Sequence, residues 1–189
     1  MKIIAITVPK MIDEDAYLIS NLLKMGIYSV HLRKPEASIH ECRQLLTKLT
    51  KEERAKIIIH DYPELYTEFS LKGIHINKNI TSLPDGYNGF KTRSCHSFEE
   101  IERYKTEYDY LFLSPIFDSI SKVGYKSGFT KEELLKASTS GIIDHKVIAL
   151  GGITLDMIPN LKQLNFGGIA MIGGIYNLNA INLLQKINK

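Results

Sequence analysis

Apolar runs rich in Ile and Val alternate with segments of helical period from one end of the chain to the other. The short apolar runs predict strands at 3–8, 29–33, 56–60, 73–76, 91–95, 110–113, 146–150 and 168–172. Helices are predicted between and after them at 13–25, 38–49, 63–71, 97–104, 131–140, 155–164 and 178–187. The stretch 77–89 contains Asn, Gly and Pro and is predicted to hold little helix. Ser38 with Glu41, and Ser97 with Glu100, have the spacing of helix N-caps.

Strands that alternate with helices imply a parallel sheet with right-handed crossovers. Eight strands suit closure, so the expected fold class is α/β, a single compact (β/α)8 TIM barrel spanning 1–189. An open doubly wound sheet is the alternative, because barrels of this kind commonly run to about 250 residues. The polarity of the second strand favours the barrel. In Ser29-Val-His-Leu-Arg33, Val30 and Leu32 can face helices, which turns Ser29, His31 and Arg33 the other way. An interior that becomes polar toward strand C-termini is what a barrel active site needs.

Two glycine pairs near the end carry the first chemical signal. Val147-Ile-Ala-Leu-Gly-Gly-Ile-Thr154 and Gly167-Gly-Ile-Ala-Met-Ile-Gly-Gly-Ile175 each run from an apolar strand into a Gly-Gly pair before a helix-like segment. Glycine lets backbone approach a ligand, and helix starts offer unpaired N–H groups, so Gly152, Gly173 and Gly174 are candidates for a phosphate cradle. Taken alone, either pair would make no more than a tight turn. The other strand mouths present His31, Arg33 and Lys34, then His60 and Asp61, His75, and Ser94, Cys95 and His96. After the sixth strand comes 114–122, with Ser119, Ser121 and Lys122 leading into a glycine-flanked loop that is expected to close over an anion. Asp61 is the sole carboxylate at a strand mouth and could hold a hard cation; its other reading is a helix N-cap ahead of Pro63. Histidines at neighbouring strand ends invite a metal reading, but without a His-x-His pair the pattern weighs against one. Cys95 and His96 are adjacent on a strand and face opposite sides, which is poor geometry for a nucleophile and its base.

Composition narrows the classes. Net charge is +3 with both signs interspersed, which argues against nucleic acid or a membrane surface as partner. No apolar run is long enough to cross a bilayer. The N-terminal apolar run is short and is followed by Pro9 and acidic residues, so it reads as a first strand, not a signal peptide. Cys42 and Cys95 lack metal or redox spacing, and free thiols in a reducing cytoplasm are expected. The sequence is compatible with a homo-oligomer.

In their order along the chain, these pieces resemble thiamine phosphate synthase and its TenI-like relatives. The most specific segments are Gly73-Ile-His-Ile76, Ser94-Cys-His-Ser97, Ser114-Pro-Ile-Phe-Asp-Ser-Ile-Ser-Lys122, Ala149-Leu-Gly-Gly-Ile153 and Gly168-Ile-Ala-Met-Ile-Gly-Gly-Ile175. The resemblance implies a (β/α)8 barrel that joins hydroxymethylpyrimidine diphosphate to thiazole phosphate and releases diphosphate with Mg2+, the ion entering with the diphosphate. By position it implies Arg33, Lys122 and Ser94 on the diphosphate and Asp61 on the metal. It implies Ser119, Ser121 and backbone at Gly152, Gly173 and Gly174 on the thiazole phosphate. His31 and His60 are further candidates for substrate contact. The chain departs from the family pattern at several positions. Gln-x-Arg-x-Lys is His31-Leu-Arg33-Lys34-Pro35 here, which moves the second basic residue to Lys34, on the other strand face. Asn-Asp-Asp is His60-Asp61-Tyr62, and the second metal carboxylate aligns with Ile80. A TenI-like thiazole tautomerase is one alternative, although its base would fall at Pro115. A non-catalytic binder of thiazole or thiamine phosphate is the other.

Overall fold

The structure, a computed structural model, describes residues 1–80, 82–117 and 128–172. Ile- and Val-rich segments form eight strands: β1 (Lys2–Ile6), β2 (Ser29–Leu32), β3 (Ile57–Ile59), β4 (Gly73–Ile76), β5 (Phe90–Cys95), β6 (Tyr110–Leu113), β7 (Val147–Leu150) and β8 (Gly168–Ile172). They form a closed barrel in chain order. Every residue of β2, β3 and β6 is buried, as expected for parallel strands covered on both faces.

The described residues form two compact units, Ile4–Lys91 with Ile172, and Met1–Ile3 with Thr92–Met171. In the first, β1 pairs with β2, β2 with β3 and β3 with β4, all parallel. Its helices are α1 (Asp15–Lys24), α2 (Ile39–Thr47), α3 (Lys51–Arg54) and α4 (Leu65–Phe69). Ile19, Leu22, Leu46 and Leu65 from these helices are buried with Val30, Leu32, Ile57, Ile59 and Ile74 of the strands. Each such side chain contributes roughly 1.5–3 kcal/mol by leaving water. In the second unit β5 pairs with β6, β6 with β7 and β7 with β8. Its helices are α5 (Phe98–Tyr104), α6 (Lys131–Thr139) and α7 (Ile158–Gln163), the last entered through a 3-10 turn at Leu155–Met157.

The element ends have local causes. Ser38 and Glu41 form a reciprocal capping box at the start of α2, and Ser97 accepts the Glu100 N–H at the start of α5. The helix expected at 38–49 is α2, with Ser38 and Lys48 as its caps, and Thr50 and Glu53 make a second capping box that starts the short α3 beyond it. The helix expected at 63–71 stops early, with Ser70 at φ 51° in the left-handed region. In the segment expected at 155–164, Pro159 sits in the first turn of α7, where its missing N–H costs nothing. The helix expected at 178–187 lies outside the described residues. Among the described residues no helix is long and apolar enough to cross a membrane. Both cysteines are free and buried.

Candidate active site

Three histidines meet at the C-terminal ends of β2, β3 and β4. His31 aligns with Ile58 across β2 and β3, and Ile58 with Gly73 across β3 and β4. The ladder continues past β3, since the His60 N–H donates to the Leu32 carbonyl at 3.1 Å. Two residues beyond the Ile58–Gly73 pair, His60 and His75 therefore fall side by side, and their rings stack at 4.1 Å with 13° between planes. His31 Nδ1 lies 2.8 Å from His60 Nε2, so one nitrogen carries a proton and the other accepts it. The three residues are 0, 7 and 4 % exposed. Burial is the main cause that holds His31 and His60 well below the ordinary imidazole pKa. The neighbouring His75 adds to this, as do Lys72 for His31, and His31 and Arg33 for His60. Both rings are neutral at neutral pH. The sequence put these residues at strand mouths; their convergence depends on register, which composition does not reveal.

Arg33 and Lys34 follow β2 and go separate ways. The Arg33 backbone is clamped by Thr7, whose Oγ1 accepts the Arg33 N–H at 2.9 Å and donates to the Arg33 carbonyl at 3.0 Å. Thr7 also donates its N–H to the His31 carbonyl. Thr7 was not singled out in the sequence, although a polar residue closing an apolar strand was a usable signal. The Arg33 side chain is half-buried, and among the described residues it forms no salt bridge. Lys34 is buried on the other face. Its Nζ lies 2.5 Å from Asp15 Oδ2 and donates to the Lys10 carbonyl at 2.9 Å. Asp15 Oδ2 accepts the Ile12 N–H as well. Lys34 is thus committed to holding the β1–α1 loop.

Asp61 is half-buried, and its Oδ2 is buried without a hydrogen-bond partner among the described residues. Its charge bears on Cys42 of α2 and on Tyr62. The N-cap alternative for Asp61 fails: Glu64 caps α4, and no side-chain cap bond is made. Tyr62 adopts φ 56°, and its hydroxyl donates to the Ala37 carbonyl at 2.7 Å. Asn77 Nδ2 donates to the His60 carbonyl at 2.7 Å and so ties the ends of β3 and β4 together. Ile80 offers no ligand atom.

In the other unit, Ser94 shares a face of β5 with Thr92. Arg93 and Cys95 take the opposite face, where the Arg93 guanidinium stands 4.3 Å from the Tyr104 ring of α5. Ser94 is therefore turned away from α5. His96 Nδ1 lies 2.9 Å from the Ser114 carbonyl oxygen and donates to it. The chain after β6 is pinned to the end of β7, with Ile116 N–H on the Leu150 carbonyl and Phe117 N–H on that of Gly151. Gly128 N–H returns to the Pro115 carbonyl at 3.0 Å. Gly151 and Gly152 have φ of 95° and 64°. A Cβ on Gly151 would lie 2.9 Å from Cα and Cβ of Pro115, so close backbone approach also demands glycine there. Ser119, Ser121, Lys122, Gly173 and Gly174 lie outside the described residues.

Known proteins share this sequence and architecture. A family profile described as thiamine monophosphate synthase matches residues 3–175. The thiamine-phosphate synthase of Photorhabdus laumondii subsp. laumondii is 28% identical over 166 residues, covering 83% of this chain and 76% of that protein. One from Bacteroides thetaiotaomicron is 26% identical over 179 residues, covering 86% and 85%. The crystal structure of a thiamine phosphate pyrophosphorylase from Bacteroides thetaiotaomicron matches with a TM-score of 0.88 and 37% identity, covering 100% of this chain and 96% of that one.

Proposed function

From the premise that the chain belongs to the thiamine monophosphate synthase family, and so is a transferase of thiamine biosynthesis, we propose how its residues share the work. The reaction joins hydroxymethylpyrimidine diphosphate to thiazole phosphate. The C–O bond to the diphosphate breaks, the pyrimidine methylene carries a transient positive charge, and the thiazole nitrogen captures it. The demand on the protein is to hold the diphosphate where charge develops on its leaving oxygen.

The observation that carries the reading is the contrast between Arg33 and Lys34. Arg33 stands at the mouth of β2 with its backbone clamped by Thr7 and its guanidinium outside any salt bridge among the described residues. Lys34 is locked to Asp15. Arg33 is thus the basic group of this pair left to bind diphosphate, in the bidentate manner that suits a guanidinium. Lys122 and Ser94 complete that set. Backbone N–H groups of Gly152, Gly173 and Gly174, with Ser119 and Ser121, hold the thiazole phosphate. Among the described residues Gly152 N–H makes no backbone hydrogen bond, which suits that role.

A magnesium ion fits Asp61 in one respect: its Oδ2 is buried and without a hydrogen-bond partner among the described residues, which suits a hard cation. It fits less well at Ile80, which leaves the remaining ligand positions to diphosphate and water. When bound, the ion would neutralise charge on the departing diphosphate. No resident ion is expected without the diphosphate. The chain acts as a single domain over 1–189 in this reading.

The test is diphosphate release from both substrates across a magnesium series. Wild type is expected to turn over with a high magnesium requirement, Ile80→Asp to lower that requirement, and Asp61→Asn to abolish coupling. No release by any of the three at saturating magnesium would end the synthase reading. It would leave the tautomerase or the phosphate binder standing.

A further inference from the structure

We propose that His31, His60 and His75 form a site for one borderline divalent transition-metal ion, with zinc as the best match. Its ligands do not include Asp61.

Among the described residues this trio is the one cluster of metal-ligating side chains that converges, with one ligand nitrogen from each ring lying within 4.8 Å of the other two. An ion bound tetrahedrally at about 2.0–2.1 Å from each imidazole separates its nitrogens by about 3.4 Å. His31 and His60 are already closer than that, at 2.8 Å. Binding must therefore open that pair slightly and draw in the third nitrogen. The rings of His60 and His75 stack within 13° of parallel, and His31 stands edge-on to both, at 74° and 72°. Stacked planes aim their nitrogens in parallel, so the His60 and His75 rings must tilt apart before the three donors meet at one point.

The donor chemistry selects the ion. Three imidazoles with no carboxylate suit zinc, cobalt or copper, and are poor ligands for magnesium or calcium. The proton shared between His31 and His60 is no obstacle. The ring that donates in that pair changes tautomer and carries its proton on the nitrogen that does not ligate, so the ion replaces a hydrogen bond without net loss of a proton. Asp61 is not a member of the converging set, which consists of the three histidines. Arg33 and Lys72 are the cations that act on these imidazoles. Water, hydroxide or a phosphate oxygen would take the fourth position. The backbone beside two of the ligands is held, with the His60 carbonyl bound by Asn77 and the His31 carbonyl by Thr7.

The experiment uses the full chain, stripped with chelator, in buffer free of phosphate. Zn2+ is added in a calorimeter, and Co2+ is followed by its visible absorption. One ion per chain is expected, with the intense spectrum of a four- or five-coordinate site. His60→Ala and His31→Ala should each weaken binding by on the order of a hundredfold, while Asp61→Asn should leave it within about threefold. In wild type, three imidazole C–H resonances should shift together on zinc addition, a readout that survives any misfolding of the variants. The proposal is overturned by wild type that binds neither ion below millimolar concentration, or by affinity unaltered in folded histidine variants. It is also overturned by imidazole resonances that stay fixed, or by binding that depends on Asp61 as much as on His60. Diphosphate release with magnesium is measured separately, so that either reading can fail without the other.

Discussion

Lys34 and Arg33 show how adjacent residues of like charge take unlike roles once strand alternation separates them. Period two along β2 made the outward turn of Lys34 legible, but its partner was not. Asp15 lies far upstream, and a carboxylate at a helix start ordinarily reads as a favourable charge on the helix dipole. With the Lys34 side chain fully buried, removing one partner leaves an uncompensated charge. Lys34→Ala is expected to cost about 3–5 kcal/mol, while Lys34→Met combined with Asp15→Leu should cost less, what remains being the Lys10 carbonyl and Ile12 N–H that lose these partners. Urea denaturation of the two variants checks this, and equal losses in both would contradict it. The histidines add a pH dependence. Because His31 and His60 have folded pKa values well below 6.5, the unfolded chain binds more protons as pH falls through that region. Their contribution is fully present above pH 6.5 and is lost progressively below it. Denaturation midpoints in chelator, from pH 7.5 down to 5, should fall more steeply for wild type than for the His31→Gln/His60→Gln double variant, as flagged by roughly one proton per ring. Parallel curves would show that these rings are not buried neutral.

At the scale of elements, strands were the most legible feature. β4, β6 and β8 begin and end where the apolar runs predict, because β-branched and aromatic runs bounded by polar residues leave little choice of register. Helices were less so. The capping box at Thr50 starts a short helix that the apolar period did not announce, and a left-handed Ser70 shortened the segment expected at 63–71. The β7 turn was half legible: the Gly-Gly pair signalled close approach, yet the group approached at Gly151 is Pro115 rather than a ligand. Gly151→Ala should therefore destabilise the fold by about 1–3 kcal/mol through its positive φ and the contact with Pro115. Thermal unfolding measures this, and an unchanged midpoint would mean that the turn has room to relax.

For the whole molecule, eight alternating units were enough to expect a closed parallel barrel, and that is the architecture found. The candidate site was legible as a set of strand mouths, because barrel chemistry gathers there. What each mouth presents was not, since Thr7, Asn77 and Asp15 act through contacts between distant parts of the chain. The central claim is that Arg33 holds the diphosphate while Lys34 does not. The most direct measurement is the rate of diphosphate release from both substrates at saturating magnesium, in wild type and Arg33→Ala, with folding checked by circular dichroism. Wild type should turn over, and Arg33→Ala should lose about a hundredfold to a thousandfold in kcat/KM with its fold retained. Release by folded Arg33→Ala at the wild-type rate would contradict the account.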